Sequence, residues 1–326
     1  MTLRLVGTGS YLPEKIISND HLSETLDTNH QWIFERTGIS QRHIASSSET
    51  CAFMAGKAAQ NALIAAGLVA DDIDLIIVAS CTADQTFPSI ACSIQKFLKF
   101  RAVPAFDLQA VCAGFVYAIS IASALSQTGL YNNIMVIGVE RMSSIVDWSD
   151  RSTCVLFGDG AGAAIFTKSN LQAIDSITYT DGSLGEILCT SGGVATPEVP
   201  NYIKMNGREV FKHGVQKMTS VAQEILQKNN LTIDDIAYFV PHQANARIID
   251  FIAQKLGIDE SKIVKTTNLH ANCSSASIPL ALDHLCKTTN LKQDYLTQNG
   301  LMHKGLILTV GFGAGLAWGA NLISLI

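Results

Sequence analysis

AAGLVADDIDLIIVAS at residues 65–80 and KNNLTIDDIAYFVPHQ at residues 228–243 are the stretches whose reading decides the fold. Each leaves a helical run, passes through Leu-x-x-Asp-Asp-Ile and enters an apolar strand, and the two are offset by half the chain. Such a connection can arise by chance anywhere, but the half-chain offset favours a duplicated α/β unit. Two units of this kind pack about a pseudo-twofold axis, and chemistry collects where matching strand ends and helix starts converge.

The flanking sequence supports the alternation. A helical run is expected near 50–66, a strand at 74–80, a helix near 88–98, a strand at VPAFDL (103–108) and a small-residue helix from near Ala113. Strand-like apolar runs follow at 134–140 and 155–166, both punctuated by glycine. Residues 167–208, richer in polar residues, Gly and Pro, read as surface connections bordering a site. The last 22 residues, 305–326, carry no charge and raise the question of a membrane span. Gly311, Gly313 and Gly315 weaken a helix in its middle, so two buried strands around a glycine turn are expected instead.

Composition narrows the function classes. With 48% hydrophobic and 16% charged residues, the chain must bury elements on both faces. A net charge of −5 excludes a general nucleic-acid surface. Eight cysteines without a C-x-x-C pair or a zinc-spaced His/Cys cluster read as reduced thiols, with no metal implied. The N-terminus lacks a secretory pattern, so a cytoplasmic protein is expected.

Three short stretches carry candidate chemistry. Cys112 stands where VPAFDL hands over to the helix, and a helix N-terminus favours a thiolate and lowers the sulfur's pKa. In its own stretch alone, DLQAVCAGFVYAISIASAL (107–125), burial as a small hydrophobe is the commoner fate of such a cysteine. His242 ends a strand in VPHQANARII (240–249), as a structural or a catalytic histidine. Asn272 opens the small-residue run NLHANCSSASIPLAL (268–282), close to where the repeat places the counterpart of Cys112. A Cys, a His and an Asn, each at an element's end, form a plausible thiol-catalysis set.

Joined with DTNHQWIFERTGISQRHIA (27–45), AVCAGFVYA (110–118), FGDGAGAA (157–164) and GFGAGLAWG (311–319), these stretches resemble the successive motifs of the β-ketoacyl-acyl-carrier-protein synthase III family of thiolase-like condensing enzymes. The resemblance runs from GTGSYLPE near residue 7 to the C-terminus. It implies an α/β, five-layered αβαβα thiolase-like fold built from two pseudo-duplicated halves, 1–168 carrying the nucleophilic Cys and 169–326 carrying the His and Asn. It also implies a decarboxylative Claisen condensation of an acyl-CoA primer, acetyl-CoA by expectation, with malonyl-acyl carrier protein, which starts type II fatty-acid synthesis. The coenzyme A thioester is then a substrate, no cofactor is needed, and the enzyme is a homodimer that binds neither nucleic acid nor membrane.

Residue by residue, the resemblance makes Cys112 the nucleophile, His242 and Asn272 the donors to the malonyl thioester oxygen, Gly313 a partner of Cys112 in the acyl oxyanion hole, and Phe312 a wall of the site. For coenzyme A it assigns Trp32 and Arg151 to the adenine, Arg36 to the phosphates, and Gly207, Phe211 and Asn245 to the pantetheine channel. Arg247, Lys212 and Lys255 match a basic rim for acyl carrier protein, although Gln254 stands where the family often has lysine. Phe87 matches a loop residue that crosses a dimer interface to cap the partner's acyl pocket, with Leu156, Leu188 and Met205 setting its depth. The 291–305 connection is longer than the family's usual one, and a surface loop is expected there. The competing readings are a thiolase-like acyltransferase or condensing enzyme of secondary metabolism with another donor or acceptor, and a papain-like cysteine hydrolase.

Overall fold

The computed structural model describes residues 2–169, 175–289 and 305–324; most of the 291–305 connection, with the expectation attached to it, lies outside them. Two sheets organise the chain. The first uses only residues up to 169, in the order Thr2–Tyr11, Asp159–Ser169, Asn133–Arg141, Leu75–Ala79, Ala105–Leu108. The second uses only later residues, in the order Ile236–Pro241, Leu306–Gly313, Ala317–Ser324, Asp175–Thr180.

The sheets repeat one another in direction as well as order. In the first, the sequence of pairings from Thr2–Tyr11 inward is antiparallel, antiparallel, parallel, parallel. In the second, starting from Asp175–Thr180, it is antiparallel, antiparallel, parallel. The fifth strand of the second sheet has shrunk to a single parallel bridge, Phe239 to Ile263. The Leu-x-x-Asp-Asp-Ile pair also matches in detail. Asp72 accepts from the Val69 N–H at 2.8 Å and Asp235 from the Thr232 N–H at 2.7 Å, each closing a short turn before its strand.

Helices complete five layers. Cys51–Ala66 and Ile90–Leu98 cover the outer face of the first sheet, and Gly207–Lys228 and Ala246–Leu256 that of the second. Gly114–Ser126 and Ser277–Thr288 lie between the sheets, where Phe115, Ile119 and Leu282 join Ile77, Phe166 and Ile307 in one core. Leu75–Ala79 and Leu306–Gly313 are buried along their whole length, which is why they read as continuous apolar runs. A side chain such as Phe115 in this middle layer is worth about 3–5 kcal/mol against Ala.

The two middle helices enter through equivalent turns. Val111 and Ser274 both have φ +46°, a left-handed conformation costly for a non-glycine residue. Each opens a short 3₁₀ turn, Val111–Ala113 or Ser274–Ala276, that feeds the helix. Each turn rests on a glycine of the other half's sheet. A Cβ on Gly138 would meet the Ser275 carbonyl oxygen at 2.2 Å, and one on Gly311 would meet the Ala113 Cα at 3.3 Å.

Three expectations change. The run at 155–166 becomes a strand only from Asp159, because Leu156 and Phe157 are drawn to the Asn272 segment instead. The region 167–208 is more than surface connection: its alternating DSITYT segment is the edge strand Asp175–Thr180 of the second sheet. The helix near Ala113 begins as an α-helix at Gly114, after the 3₁₀ turn that holds Cys112. The terminal apolar run forms the expected strand pair, Gly313 opposite Ala317. No helix among the described residues is long and apolar enough to cross a membrane.

Candidate active site

A cavity of about 150 Å³ opens at the junction of the halves, and Cys112, His242 and Asn272 all line it. Each arrives differently. Cys112 comes on the strained turn at the head of a middle helix, and His242 follows the Ile236–Pro241 strand, held to the neighbouring strand by its N–H on the Val310 carbonyl at 2.8 Å. Asn272 is stitched by its backbone to the 156–158 segment, donating to the Leu156 carbonyl at 2.9 Å and accepting from the Gly158 N–H at 3.1 Å.

Hydrogen bonds set which atoms face the cavity. The Ser277 hydroxyl lies 2.7 Å from His242 Nδ1 and accepts the Gln243 N–H at 3.3 Å. The pattern gives the hydroxyl proton to Nδ1 and leaves the ring's own proton on Nε2, on the cavity side; this tautomer is assigned from the network. Asn272 Oδ1 accepts from the Ser274 N–H at 2.9 Å, so its NH₂ is left as a donor. Two neutral N–H donors therefore share a buried cavity with one sulfur. That set can stabilise negative charge growing on a substrate oxygen. It is not a papain-like arrangement, since Asn272 and His242 are each held by a serine or its backbone rather than by one another.

Electrostatics corrects one expectation. Burial pushes the Cys112 thiol up to about 12, the nearby Glu140 carboxylate adds to the rise, and only the Ser274 hydroxyl and the turn's own N–H pull it down. Burial also pushes His242 down to about 3. At neutral pH the resting site is a neutral thiol beside a neutral imidazole, because desolvation outweighs the partial charge of a helix start.

Around this centre, Leu156, Leu188, Met205, Gly207, Phe211, Asn245 and Phe312 also line the cavity. Asn245 is in addition the N-cap of Ala246–Leu256, accepting from the Ile248 N–H at 3.0 Å. Gly313 lies behind the nucleophile, where a Cβ would come within 2.7 Å of the Cys112 nitrogen, so only glycine permits this approach. Phe157, Val210, Gly214, Met218, Ala244 and Ile248 complete the wall and were not anticipated. They are ordinary helix-face or loop positions, with no local signal beyond apolarity.

The remaining candidates lie outside the cavity. Trp32, on the short helix His30–Thr37, is half-buried rather than exposed, and the Arg36 and Arg151 guanidiniums lie on its ring at 4.5 and 4.8 Å. There is no base-thick gap between Arg151 and the indole in this state, and Arg151 is also bonded to the Asp27 carbonyl. Arg247 covers the Phe211 ring at 5.9 Å, with Phe251 edge-on to the same ring. Lys212 is exposed and pairs with Glu209, and Lys255 is exposed on the helix that begins after Asn245. Phe87 is 82% exposed and does not reach this chain's cavity. Among the described residues, no group of three or more His, Cys, Asp or Glu side chains could hold a metal.

Comparison with known proteins converges on one family. The model for 3-oxoacyl-[acyl-carrier-protein] synthase III matches residues 106–182, and that for its C-terminal part matches residues 226–325. The β-ketoacyl-[acyl-carrier-protein] synthase III of Rickettsia felis is 47% identical over 326 residues, covering 99% of both chains. The crystal structure of 3-oxoacyl-[acyl-carrier-protein] synthase III from Aquifex aeolicus superposes with a TM-score of 0.90 at 41% identity over 99% of both chains. A priming β-ketosynthase of a polyketide biosynthetic pathway gives the same TM-score at 35% identity, covering 99% of this chain and 96% of its own. With the shared fold and near-complete coverage, these matches place the chain in the 3-oxoacyl-[acyl-carrier-protein] synthase III family of thiolase-fold condensing acyltransferases.

Proposed function

We propose that the protein condenses an acyl-CoA primer, acetyl-CoA first, with malonyl-acyl carrier protein to give a 3-oxoacyl-acyl carrier protein, the opening step of type II fatty-acid synthesis. The observation that carries this reading is the convergence of one thiol and two fixed N–H donors on a single buried cavity. In the first half-reaction the Cys112 thiol, neutral at rest, gives up its proton to solvent, and the sulfur attacks the thioester carbonyl as thiolate. The N–H groups of Cys112 and Gly313 hold the tetrahedral oxyanion, which collapses to acyl-Cys112 and expels the coenzyme A thiolate. In the second, the malonyl carboxylate leaves as carbon dioxide and its electron pair passes into the thioester enolate. His242 Nε2–H and the Asn272 NH₂ bind the enolate oxygen. The carbanion attacks the acyl carbonyl, the carbon–sulfur bond to Cys112 breaks, and the thiolate is restored. Phe312 keeps water from the carbanion.

Coenzyme A enters along Gly207, Phe211 and Asn245, with its adenine on Trp32 once Arg151 moves off the ring and its phosphates near Arg36. Acyl carrier protein docks on Arg247, Lys212 and Lys255. Leu156, Leu188 and Met205 bound the acyl pocket, and the exposed Phe87 closes the pocket of a second copy in a cytoplasmic homodimer. The chain divides into halves 1–168 and 169–326, which together form the catalytic centre and the coenzyme A path.

The test is incubation with radiolabelled acetyl-CoA and malonyl-acyl carrier protein. Label is expected on Cys112 and then in acetoacetyl-acyl carrier protein. Absence of label on Cys112, or full activity of Cys112→Ala, overturns the mechanism. Label without condensation points to an acyltransferase with another acceptor.

A further inference from the structure

Glu140 has no place in the chemistry above, yet it is wholly buried beside the site. It stands next to the end of the Asn133–Arg141 strand, and its two oxygens gather donors from two separate segments. Oε2 accepts from the Thr82 hydroxyl at 2.6 Å, the Cys81 N–H at 3.1 Å and the Cys81 thiol at 3.4 Å, all just past the neighbouring Leu75–Ala79 strand. Oε1 accepts from the Ser275 hydroxyl at 2.8 Å and the Ser274 hydroxyl at 3.1 Å, in the turn that follows Asn272. Among the described residues no cation pairs with it, and hydroxyls, an N–H and a thiol offset the burial.

Ser274 joins this carboxylate to the catalytic amide. Its hydroxyl is held by Glu140 while its backbone N–H holds Asn272 Oδ1 at 2.9 Å. Ser274 is also the residue at φ +46°, a conformation that persists only where the surroundings impose it. The fixed side of that turn is Glu140, anchored on the first half's sheet. We propose that Glu140 is a positioning residue for decarboxylation: it clamps the strained Ser274 turn so that the Asn272 NH₂ is aimed at the malonyl thioester oxygen. This rests on the condensing reaction proposed above.

The two half-reactions separate the idea from a general structural role. Glu140→Gln keeps the shape but turns one acceptor into a donor that opposes the Ser or the Thr82 and Cys81 protons. Decarboxylation of malonyl-acyl carrier protein without primer, read as labelled carbon dioxide, is expected to fall about tenfold or more, the cost of a misaimed donor. Its KM is expected to stay within about twofold, because the loss is in the transition state. Alkylation of Cys112 by iodoacetamide should be unchanged or faster, since a negative charge that opposes the thiolate is gone. Ser275→Ala, which removes one donor and leaves the carboxylate, should move the same ratio in the same direction by less; it serves if Glu140→Gln does not fold. Equal losses in both readouts, or an unchanged ratio, overturn the inference. A wild-type protein that neither decarboxylates nor accepts acyl label defeats the functional reading instead.

Discussion

The turn that carries Cys112 and the turn that carries Ser275 are the same piece of structure used twice. Both follow a residue at φ +46°, both open a middle helix, and both lean on a glycine of the opposite half. They differ in the residue two places beyond that glycine. Beyond Gly311 stands Gly313, whose missing side chain leaves room against the Cys112 backbone. Beyond Gly138 stands Glu140, which fills that space and binds the Ser275 hydroxyl at 2.8 Å. One copy of the scaffold is thereby an open pocket and the other a closed polar clamp. The scaffold supplies the strained turn; the neighbouring strand decides what it does.

The largest effect expected from breaking this comparison is Cys112→Ala, which should reduce condensation by more than about a thousandfold. Adding Ser275→Cys to it should restore no acyl label from acetyl-CoA, because Glu140 occupies the place of an oxyanion hole; label at residue 275 would show the turns to be interchangeable. Gly313→Ala comes next. Its Cβ must displace the Cys112 backbone, and a loss of about a hundredfold in acylation is expected, measured by burst kinetics. Ser277→Ala should follow with about tenfold or more in decarboxylation, since it releases the imidazole tautomer. Unchanged decarboxylation in that variant would mean that Nδ1 needs no partner.

The pH dependence separates the site's two titrating groups. The thiol is raised to about 12, so the rate of Cys112 alkylation should climb with pH through the neutral and alkaline range, without a plateau near the free-cysteine value. The buried imidazoles act on stability. His242 is lowered to about 3 and His270 to about 4, both chiefly by burial. As pH falls below the ordinary histidine value, the unfolded chain binds protons that these two refuse. Their contribution is complete above about pH 6.5 and is lost progressively toward pH 4 and below. Denaturant melts at stepped pH should show that loss, and His242→Gln should make it shallower.

Much of this was legible in the chain. The half-chain repeat announced two α/β units, and the turns closed by Asp72 and Asp235 share the same carboxylate-to-backbone bond. Cys112, His242 and Asn272 stood out because each ends or begins an element, which is a local property of sequence. The strand at Asp175–Thr180 was missed because its alternation sits among Gly- and Pro-containing connections. Met218 and Ile248 were invisible for a different reason: an apolar residue on a helix face looks the same whether it faces core or cavity.

By itself, the sequence determined the order of elements, the duplication and the candidate reactive groups, since these follow from periodicity, turn chemistry and the functional groups present. Only the tertiary structure decided how those groups are set. Burial, which depends on residues far apart in the chain, makes the resting thiol neutral where a helix start alone would favour the thiolate. The donor faces of His242 and Asn272 likewise depend on Ser277 and Ser274, and the choice between pocket and clamp on Gly313 and Glu140, which reach the turns from the opposite half.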